Sequence, residues 1–263
     1  MLLTGKVAFV SGAGRGIGRA IAVALAQAGA RVAVNDLANS ADAEQTLSDI
    51  RAAGGDGLLV PADVSDYSAV EAAVAQTAKH FGRVDIAVTN AVYSDRELFH
   101  VAKLDGFRRT IDVTMWGAFH VLRAATNQML KQGGGGSVVI VGSPHAIVPV
   151  PTAMAYNMAK AAIDQMARTA AIELVPHRIR VNILHPGWTD TPGERKFASD
   201  EQLREVARNL PPGRLARVDE IARGVVFLCD PASEYINGST LSIDGGINLP
   251  WWESRNPPTP AAP

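Results

Sequence analysis

Four glycines fall within seven residues, Gly12-Ala13-Gly14-Arg15-Gly16-Ile17-Gly18, between the β-rich run Lys6–Ser11 and the helix formers Ile17–Ala28. A turn this rich in glycine lets backbone N–H groups approach a pyrophosphate, and it opens onto the positive end of a helix, which favours an anion. The spacing is G-x3-G-x-G with Gly14 in addition. It is not G-x-G-x-x-G, because Ile17 and Arg19 occupy the positions that would have to be glycine. No Gly-Lys-Ser/Thr follows, so a P-loop is excluded. By itself the loop is also compatible with a glycine-rich βα turn that holds no ligand.

The strand-then-helix pattern recurs along the chain. Arg31–Asp36 reads as a strand, and Leu58–Val60 precedes the helical stretch Tyr67–His80. Val84–Thr89 precedes one long helical region, Leu104–Lys131, and the loop Gly133–Gly136 leads to the strand Ser137–Val141. Ala155–Val175 reads as a helix, Ile179–Leu184 as a strand and Leu241–Asp244 as the last strand. Apolar strand cores alternating with helices predict a doubly wound parallel sheet of about seven strands, covered on both faces, in a single-domain α/β Rossmann fold. The length of 263 residues and the 47% apolar content suit one domain with a sizeable core, expected over residues 1–249. Residues 250–263 form a Trp- and Pro-rich tail, in which Trp251 and Trp252 are expected to pack on the body or on a neighbouring subunit.

A formal charge of −1 offers no general field for nucleic acid or for an anionic membrane. The single cysteine, Cys229, rules out an internal disulfide framework and a cysteine-based zinc site. No apolar run has the length of a membrane span, and the N-terminus lacks a signal-peptide pattern, so a cytoplasmic location is expected. The six histidines show no metal-ligand spacing, and no metal is expected.

Asp36 ends the second strand, 18 residues beyond Gly18, where a carboxylate meets the hydroxyls of an adenosine ribose. A 2′-phosphate there would face a like charge at a cost of about 1–4 kcal/mol at 4 Å. At about 1.4 kcal/mol per decade this selects NAD over NADP. Arg15 argues the other way, but it is a long side chain on a loop that can swing to solvent. Asp63, after the third strand, either accepts from an adenine amino group or caps the following turn.

Tyr156 and Lys160 stand at i and i+4 of a helical segment and so share one face. An ammonium beside a phenol is expected to lower the phenol pKa and make it an acid/base near neutral pH. Ser143 follows the strand Val138–Val141 and therefore lies at the carboxyl edge of the sheet, where its hydroxyl can hold a substrate oxygen.

Glycine loop, acid, serine and Tyr-x3-Lys follow in order, and with them the chain resembles the classical short-chain dehydrogenase/reductase family from Gly5 to about Gly246. The matching segments include Ser11–Gly18, Ser143, Tyr156 with Lys160, and Pro186-Gly187-Trp188-Thr189-Asp190-Thr191. The resemblance implies a catalytic trio of Ser143, Tyr156 and Lys160. It implies a cofactor site using Gly12, Arg15, Gly16, Ile17, Gly18, Asp36, Leu37, Asp63, Val64, Asn90, Ala91, Tyr156, Lys160, Pro186, Gly187, Thr189 and Thr191. It also implies a mobile lid over Thr189–Asp200, and a homotetramer built on the helices around Leu104–Lys131 and Ala155–Val175. Small residues Ala161, Ala162, Ala167, Ala170 and Ala171 would allow close helix approach in that assembly.

Two departures stand out. Val92 replaces a family glycine in Thr89-Asn90-Ala91-Val92, either packing harmlessly or narrowing the pocket. Thr114, in Asp112-Val113-Thr114-Met115-Trp116-Gly117, stands where the family has the catalytic Asn that anchors a water in the proton path; it is the fourth candidate catalytic residue and either holds that water or weakens the relay. Val92, Tyr93, His145 and Trp188 are candidate substrate contacts, Ser94 and Arg96 can also face the pocket, and His185 can border it; His145 and His185 are equally readable as ordinary loop histidines, and Trp188 as packing on the lid. Glu194, Arg195 and Lys196 read as solvated lid residues. Pro149-x-Pro151, Lys196-Phe197 and the extended tail look somewhat like aldose 1-dehydrogenases of the same family, which suggests a small-molecule sugar or polyol substrate. The alternatives are a 3-oxoacyl or other ketone reductase, favoured by apolar Ile147, Val148 and Val150, and a nicotinamide-binding protein weakened in catalysis by Thr114 and Val92. A Rossmann-like methyltransferase shares the glycine loop and the acid but has no use for Tyr-x3-Lys.

Overall fold

The structure, a computed structural model, describes residues 1–249. Trp251 and Trp252 lie outside the described residues. The elements run β1 (Val7–Val10), α1 (Gly16–Gln27), β2 (Arg31–Val34), α2 (Ala41–Ala52), β3 (Gly57–Leu59), α3 (Tyr67–Phe81) and β4 (Ile86–Thr89). They continue with α4 (Leu104–Thr110), α5 (Gly117–Gln132), β5 (Gly136–Val141), α6 (Met154–Glu173), β6 (Ile179–Pro186), α7 (Asp200–Asn209), α8 (Val218–Cys229) and β7 (Thr240–Ile243). The strands form one seven-stranded sheet in the order β3-β2-β1-β4-β5-β6-β7. Every pairing is parallel. Strand order reverses between β1 and β4, so the carboxyl ends of these two strands open a crevice where α/β folds bind ligands.

Alternation along each strand builds the two cores. Phe9, Ala33, Ala87, Val138 and Ile140 point to one face, beneath side chains of α3, α5 and α6. Ala8, Val10, Val32, Val34, Val88 and Val139 point to the other, beneath α1 and α8. Both faces are covered, so the strands read as continuously apolar. Cys229 is buried here, and burial pushes its thiol up to about 12, far from a reactive thiolate.

The long helix expected over Leu104–Lys131 is interrupted. Ile111–Trp116 is wound as a π-helix between α4 and α5. The wide turn carries Thr114, whose buried hydroxyl bonds the Tyr93 backbone, and beyond it Gly117 passes so close to Val64 that a Cβ would stand 2.6 Å from Cγ2. A regular i→i+4 ladder gives way here to side-chain contacts across to the segment after β4. The alanines of α6 also divide differently from the expected stripe. Ala167 and Ala171 are buried in this chain's own core and are not free to meet a neighbour.

Asp85 ties the first strand to the centre of the sheet. Its backbone N–H donates to Val7 O at 2.8 Å and its carboxylate accepts from Val7 N–H at 3.0 Å. Arg83 Nε donates to both of its oxygens at 2.8 and 2.9 Å. Asp85→Ala leaves a buried N–H without an acceptor, which costs about 1–3 kcal/mol. A lower melting temperature in thermal unfolding, with the cofactor site otherwise intact, is the expected outcome.

Candidate active site

The glycine loop is held open by contacts that only glycine permits. Gly12 has φ +60°, and a Cβ there would lie 2.6 Å from Ala91 Cα. A Cβ on Gly18 would overlap Gly12 O and Asn90 Nδ2. Ser11 and Asn90 lace the loop to the end of β4. Ser11 Oγ accepts from Asn90 N–H at 3.0 Å and from Ala91 N–H at 3.3 Å, and Asn90 Nδ2 donates to Gly12 O at 2.9 Å. Arg19 from α1 and Thr46 from α2 bond Gly14 O from the far side.

A cleft of about 440 Å³ runs along this edge, and Gly12, Arg15, Gly16, Ile17, Gly18, Asp36, Leu37, Asp63, Val64, Asn90, Ala91, Tyr156 and Thr191 line it. These are residues expected from the sequence to meet a dinucleotide. Asp36 anchors the far end: its Oδ2 accepts from Gly14 N–H at 2.9 Å and its Oδ1 from Leu37 N–H at 2.8 Å. Arg15 is half-exposed and 3.9 Å from Asp42. Asp63 holds the turn and an arginine. Burial works against its charge, but hydrogen bonds from Arg109 and Ser65 win and hold the carboxyl below its usual value. Bare glycine backbone, a helix N-terminus and a carboxylate at the end of β2 fit a dinucleotide bearing an unphosphorylated ribose. Of the residues expected to meet a dinucleotide, Lys160, Pro186, Gly187 and Thr189 are not among those lining the cleft. Thr189 is buried, with its hydroxyl on Gly187 O at 2.9 Å, and a Cβ on Gly187 would lie 2.6 Å from Asp244 Cα.

Across the cleft, β5 and α6 bring the chemistry together. Ser143 favours ionisation of the Tyr156 phenol, and its Oγ accepts from His145 N–H at 3.2 Å. Lys160 Nζ lies 5.4 Å from the centre of the Tyr156 ring and donates to Val141 O at 2.7 Å. The expected acidified phenol is not what the protein by itself produces. Burial pushes Tyr156 up to about 12 and Glu194 adds to this, outweighing the opposing effects of Ser143 and Arg96. Burial also brings Lys160 down to about 8, against the pull of Asp164. The ammonium is turned to a carbonyl rather than to the phenol, so the i, i+4 spacing overstates its hold on the tyrosine.

Other assignments change with the geometry. Thr114 spends its hydroxyl on the Tyr93 backbone, donating to Tyr93 O at 2.7 Å and accepting from Tyr93 N–H at 3.1 Å. It braces the segment after β4 rather than offering a free water ligand. Val92 avoids the left-handed region, so it replaces glycine without backbone strain, and its half-exposed side chain lines the cleft. Tyr93 lines it too. His145 packs edge-on against Tyr156 at 5.1 Å between ring centres, with Nδ1 2.8 Å from Asn157 Oδ1. Burial, aided by Arg96 and Lys160, keeps this imidazole below its usual pKa despite Asn157. His185 does not border the substrate region. It is fully buried, with Nε2 2.9 and 3.0 Å from the two oxygens of Asp164. Trp188 serves the lid, its Nε1 donating to Glu194 Oε2 at 3.0 Å. Arg195 staples the lid to Asp190 and Asp200, while Glu194, Lys196 and Phe197 reach the cleft wall.

Arg96, expected to be able to face the pocket, does line the cleft. Asn35, Arg109 and Asp164 gained their places only through folding. Asn35 is buried and bonds Val60 O and Ala62 O below the cleft. No sequence spacing marks these residues, because their partners lie on other elements.

The chain matches the family model described as enoyl-(acyl carrier protein) reductase over residues 12–248. It is 36% identical over 247 residues to an L-rhamnose 1-dehydrogenase (NAD(P)(+)) of Sphingomonas sp. (strain SKA58), covering 94% of this chain and 97% of that protein. It is 32% identical over 248 residues to glucose 1-dehydrogenase 2 of Bacillus subtilis (strain 168), covering 94% and 96%. Among solved structures it is similar to a short-chain dehydrogenase/reductase from Serratia marcescens BCRC 10948, with TM-score 0.88 and 36% identity, over 95% of this chain and 100% of that one.

The low value for Lys160 sets a stability signature. Its pKa is about 8 in the folded chain against 10.5 as the ordinary value, so between those pH values the unfolded chain binds the extra proton and folding gains as pH rises. Relative to Lys160→Met, the native protein is expected to gain up to ~3 kcal/mol between pH 7 and 10. Parallel denaturant titrations of the two proteins at several pH values measure this, and equal slopes with pH would contradict the buried ammonium.

Proposed function

The chain belongs to the short-chain dehydrogenase/reductase family, and from that premise we propose that it is an NAD(H)-dependent oxidoreductase. Its reaction interconverts a secondary alcohol or hemiacetal, on a sugar- or polyol-like molecule, with the matching carbonyl compound. The observation that carries this is the Tyr156 phenol, on the cleft that the glycine loop lines, with Lys160 Nζ 5.4 Å from its ring centre and Ser143 favouring its ionised form. The names of the rhamnose and glucose dehydrogenase relatives support the substrate type. Asp36, a carboxylate on the cleft wall just after β2, supports NAD, because a 2′-phosphate beside it would face a like charge.

A bound nicotinamide supplies the acceptor or donor of hydride at the carbinol carbon. Ser143 and Tyr156 hold the substrate oxygen between them. A phenol that stays protonated through neutral pH is suited to donate its proton to a carbonyl oxygen; in the opposite direction its ionised form, which Ser143 and Arg96 favour, takes the hydroxyl proton. Lys160, fixed by Val141 O, positions the end of α6 next to the phenol and keeps a proton nearby. Thr114 holds the Tyr93 segment at the cleft edge. The lid from Thr189 onward, stapled by Arg195, closes the side above Gly16, where Thr191 stands. The presence of Ser143, Tyr156 and Lys160 together weighs against a cofactor-binding protein that has lost turnover. We further read the assembly as a homotetramer. Exposed Trp116, Met158 and Ile172 on the helices that would mate support this reading.

A second reading has its own observation. Ile147 and Val148 are exposed after Ser143, and an apolar ketone, as in 3-oxoacyl reduction, would use them.

The test is reduced-nicotinamide absorbance with purified protein against sugars, polyols, secondary alcohols and ketones, with NAD(H) and NADP(H) in parallel. Turnover of sugars or polyols with NAD is expected, and Tyr156→Phe should lower it by about 10²- to 10⁴-fold. Preference for apolar ketones would support the second reading, and NADH binding with no turnover anywhere would overturn both. Asp36→Ala removes the charge facing a 2′-phosphate, so the ratio of kcat/KM with NADP to that with NAD should rise by at least about tenfold.

A further inference from the structure

The substrate side of the cleft holds a guanidinium with nothing to neutralise it. Arg96 lines the same cleft as Tyr156. The other cleft arginines have acids: Arg15 lies near Asp42, and Arg109 pairs with Asp63 at 2.8 Å. Among the described residues no carboxylate lies within 4 Å of the Arg96 guanidinium, and its buried Nε has no hydrogen-bond partner. The acids flanking it in sequence are turned elsewhere. Asp95 accepts from Arg96 N–H at 3.1 Å and lies against Gly106, and Glu97 accepts from Lys103 N–H at 2.6 Å. Ser94 adds a buried hydroxyl that also lacks a partner.

The guanidinium is oriented as well as unpaired. Its central carbon lies 4.0 Å from the centre of the Phe197 ring, which the lid supplies. Stacking on an aromatic fixes the plane of the donor fork without consuming its N–H groups. Its charge reaches the reacting centre, where it favours the ionised form of Tyr156 and disfavours a His145 cation. An unpaired cation and two unsatisfied buried polar atoms in one cleft wall are costly to maintain. A ligand that accepts hydrogen bonds and carries negative charge removes that cost.

We propose that the substrate carries a carboxylate besides its reacting hydroxyl, and that Arg96, with Ser94, binds it. The substrate class is then a polyhydroxy acid of sugar size, an aldonate or a uronate, rather than a neutral aldose. One guanidinium balances one negative charge and matches the two oxygens of a carboxylate, which favours it over a phosphate dianion. Glu194 is the acid on the lid side of the cleft, and the Trp188 indole holds its carboxylate. This inference rests on the oxidoreductase reading and narrows its substrate.

The test uses matched pairs with NAD: a panel of uronates and aldonates against the corresponding aldoses and alditols, with aldose 6-phosphates as the phosphate arm. The acids are expected to exceed their neutral partners in kcat/KM by at least about tenfold. Arg96→Gln should cut the acid-to-neutral ratio by about 10- to 100-fold, chiefly through KM, and Arg96→Lys should recover part of it. Circular dichroism and thermal melting verify that both variants fold. Neutral partners turned over as well as the acids, phosphates preferred to carboxylates, or an unchanged ratio in Arg96→Gln would each overturn the proposal. If no compound of the panel is oxidised, the oxidoreductase reading fails separately, and calorimetric titration of the same acids into the protein with NAD⁺ decides the anion site. Binding that Arg96→Gln abolishes supports it, and no binding, or equal binding by the two proteins, overturns it.

Discussion

The close approach of β1 and β4 at their carboxyl ends is the constraint from which the site follows. Gly12 lies against Ala91, Gly18 has no room for a methyl, and Ser11 and Asn90 bond across the gap. This contact sets the path of the glycine loop, and the loop sets where α1 begins and what its N-terminus faces. It also lies at the point where the strand order reverses, so the crevice opens beside it. The helices covering both sheet faces make the arrangement rigid, because every strand in the middle of the sheet is buried on two sides.

The catalytic side obeys a different balance. Packing α6 against β5 and β6 buries Lys160 and brings Tyr156 up to Ser143, and the same burial disfavours charge on both titratable groups. Asp164, one turn beyond Lys160 on α6, opposes part of this for the ammonium. Its carboxylate is in turn held by His185 from β6, and Gly142 passes so close that a Cβ would stand 2.8 Å from His185 Nε2. A buried acid and imidazole beneath the lysine thus support the end of β5 that carries Ser143. Removing water strengthens such interactions and raises the cost of any charge left without a partner.

The recurrence of short apolar strands and helical stretches reveals the parallel sheet without any coordinates, because each strand must be buried on both faces. Helix α2, not among the expected helices, carries Ser40 at its N-cap with acids Asp42 and Glu44 in its first turn. Helix α8 likewise repeats Ile221, Val225 and Leu228 on one buried face. The π-helix at Ile111–Trp116 had no such signal. Thr114 within it bonds the backbone of Tyr93, 21 residues away in sequence. For His185 and Trp188 the sequence left substrate contact and packing elsewhere equally open, because nearness to a motif says nothing of which way a side chain turns.

By itself, the sequence determined the fold, the glycine loop, the acid at the end of β2 and the trio Ser143, Tyr156 and Lys160, because these depend on local backbone needs and on spacing within single elements. Tertiary structure alone decided which charges are paired, how far burial moves Tyr156 and Lys160, and that Thr114 braces a strand end. It also decided that Arg96 faces the cleft with no acid beside it. Electrostatics depends on distance and burial in space, and the groups that settle it come together from separate strands, helices and the lid only when the chain is folded.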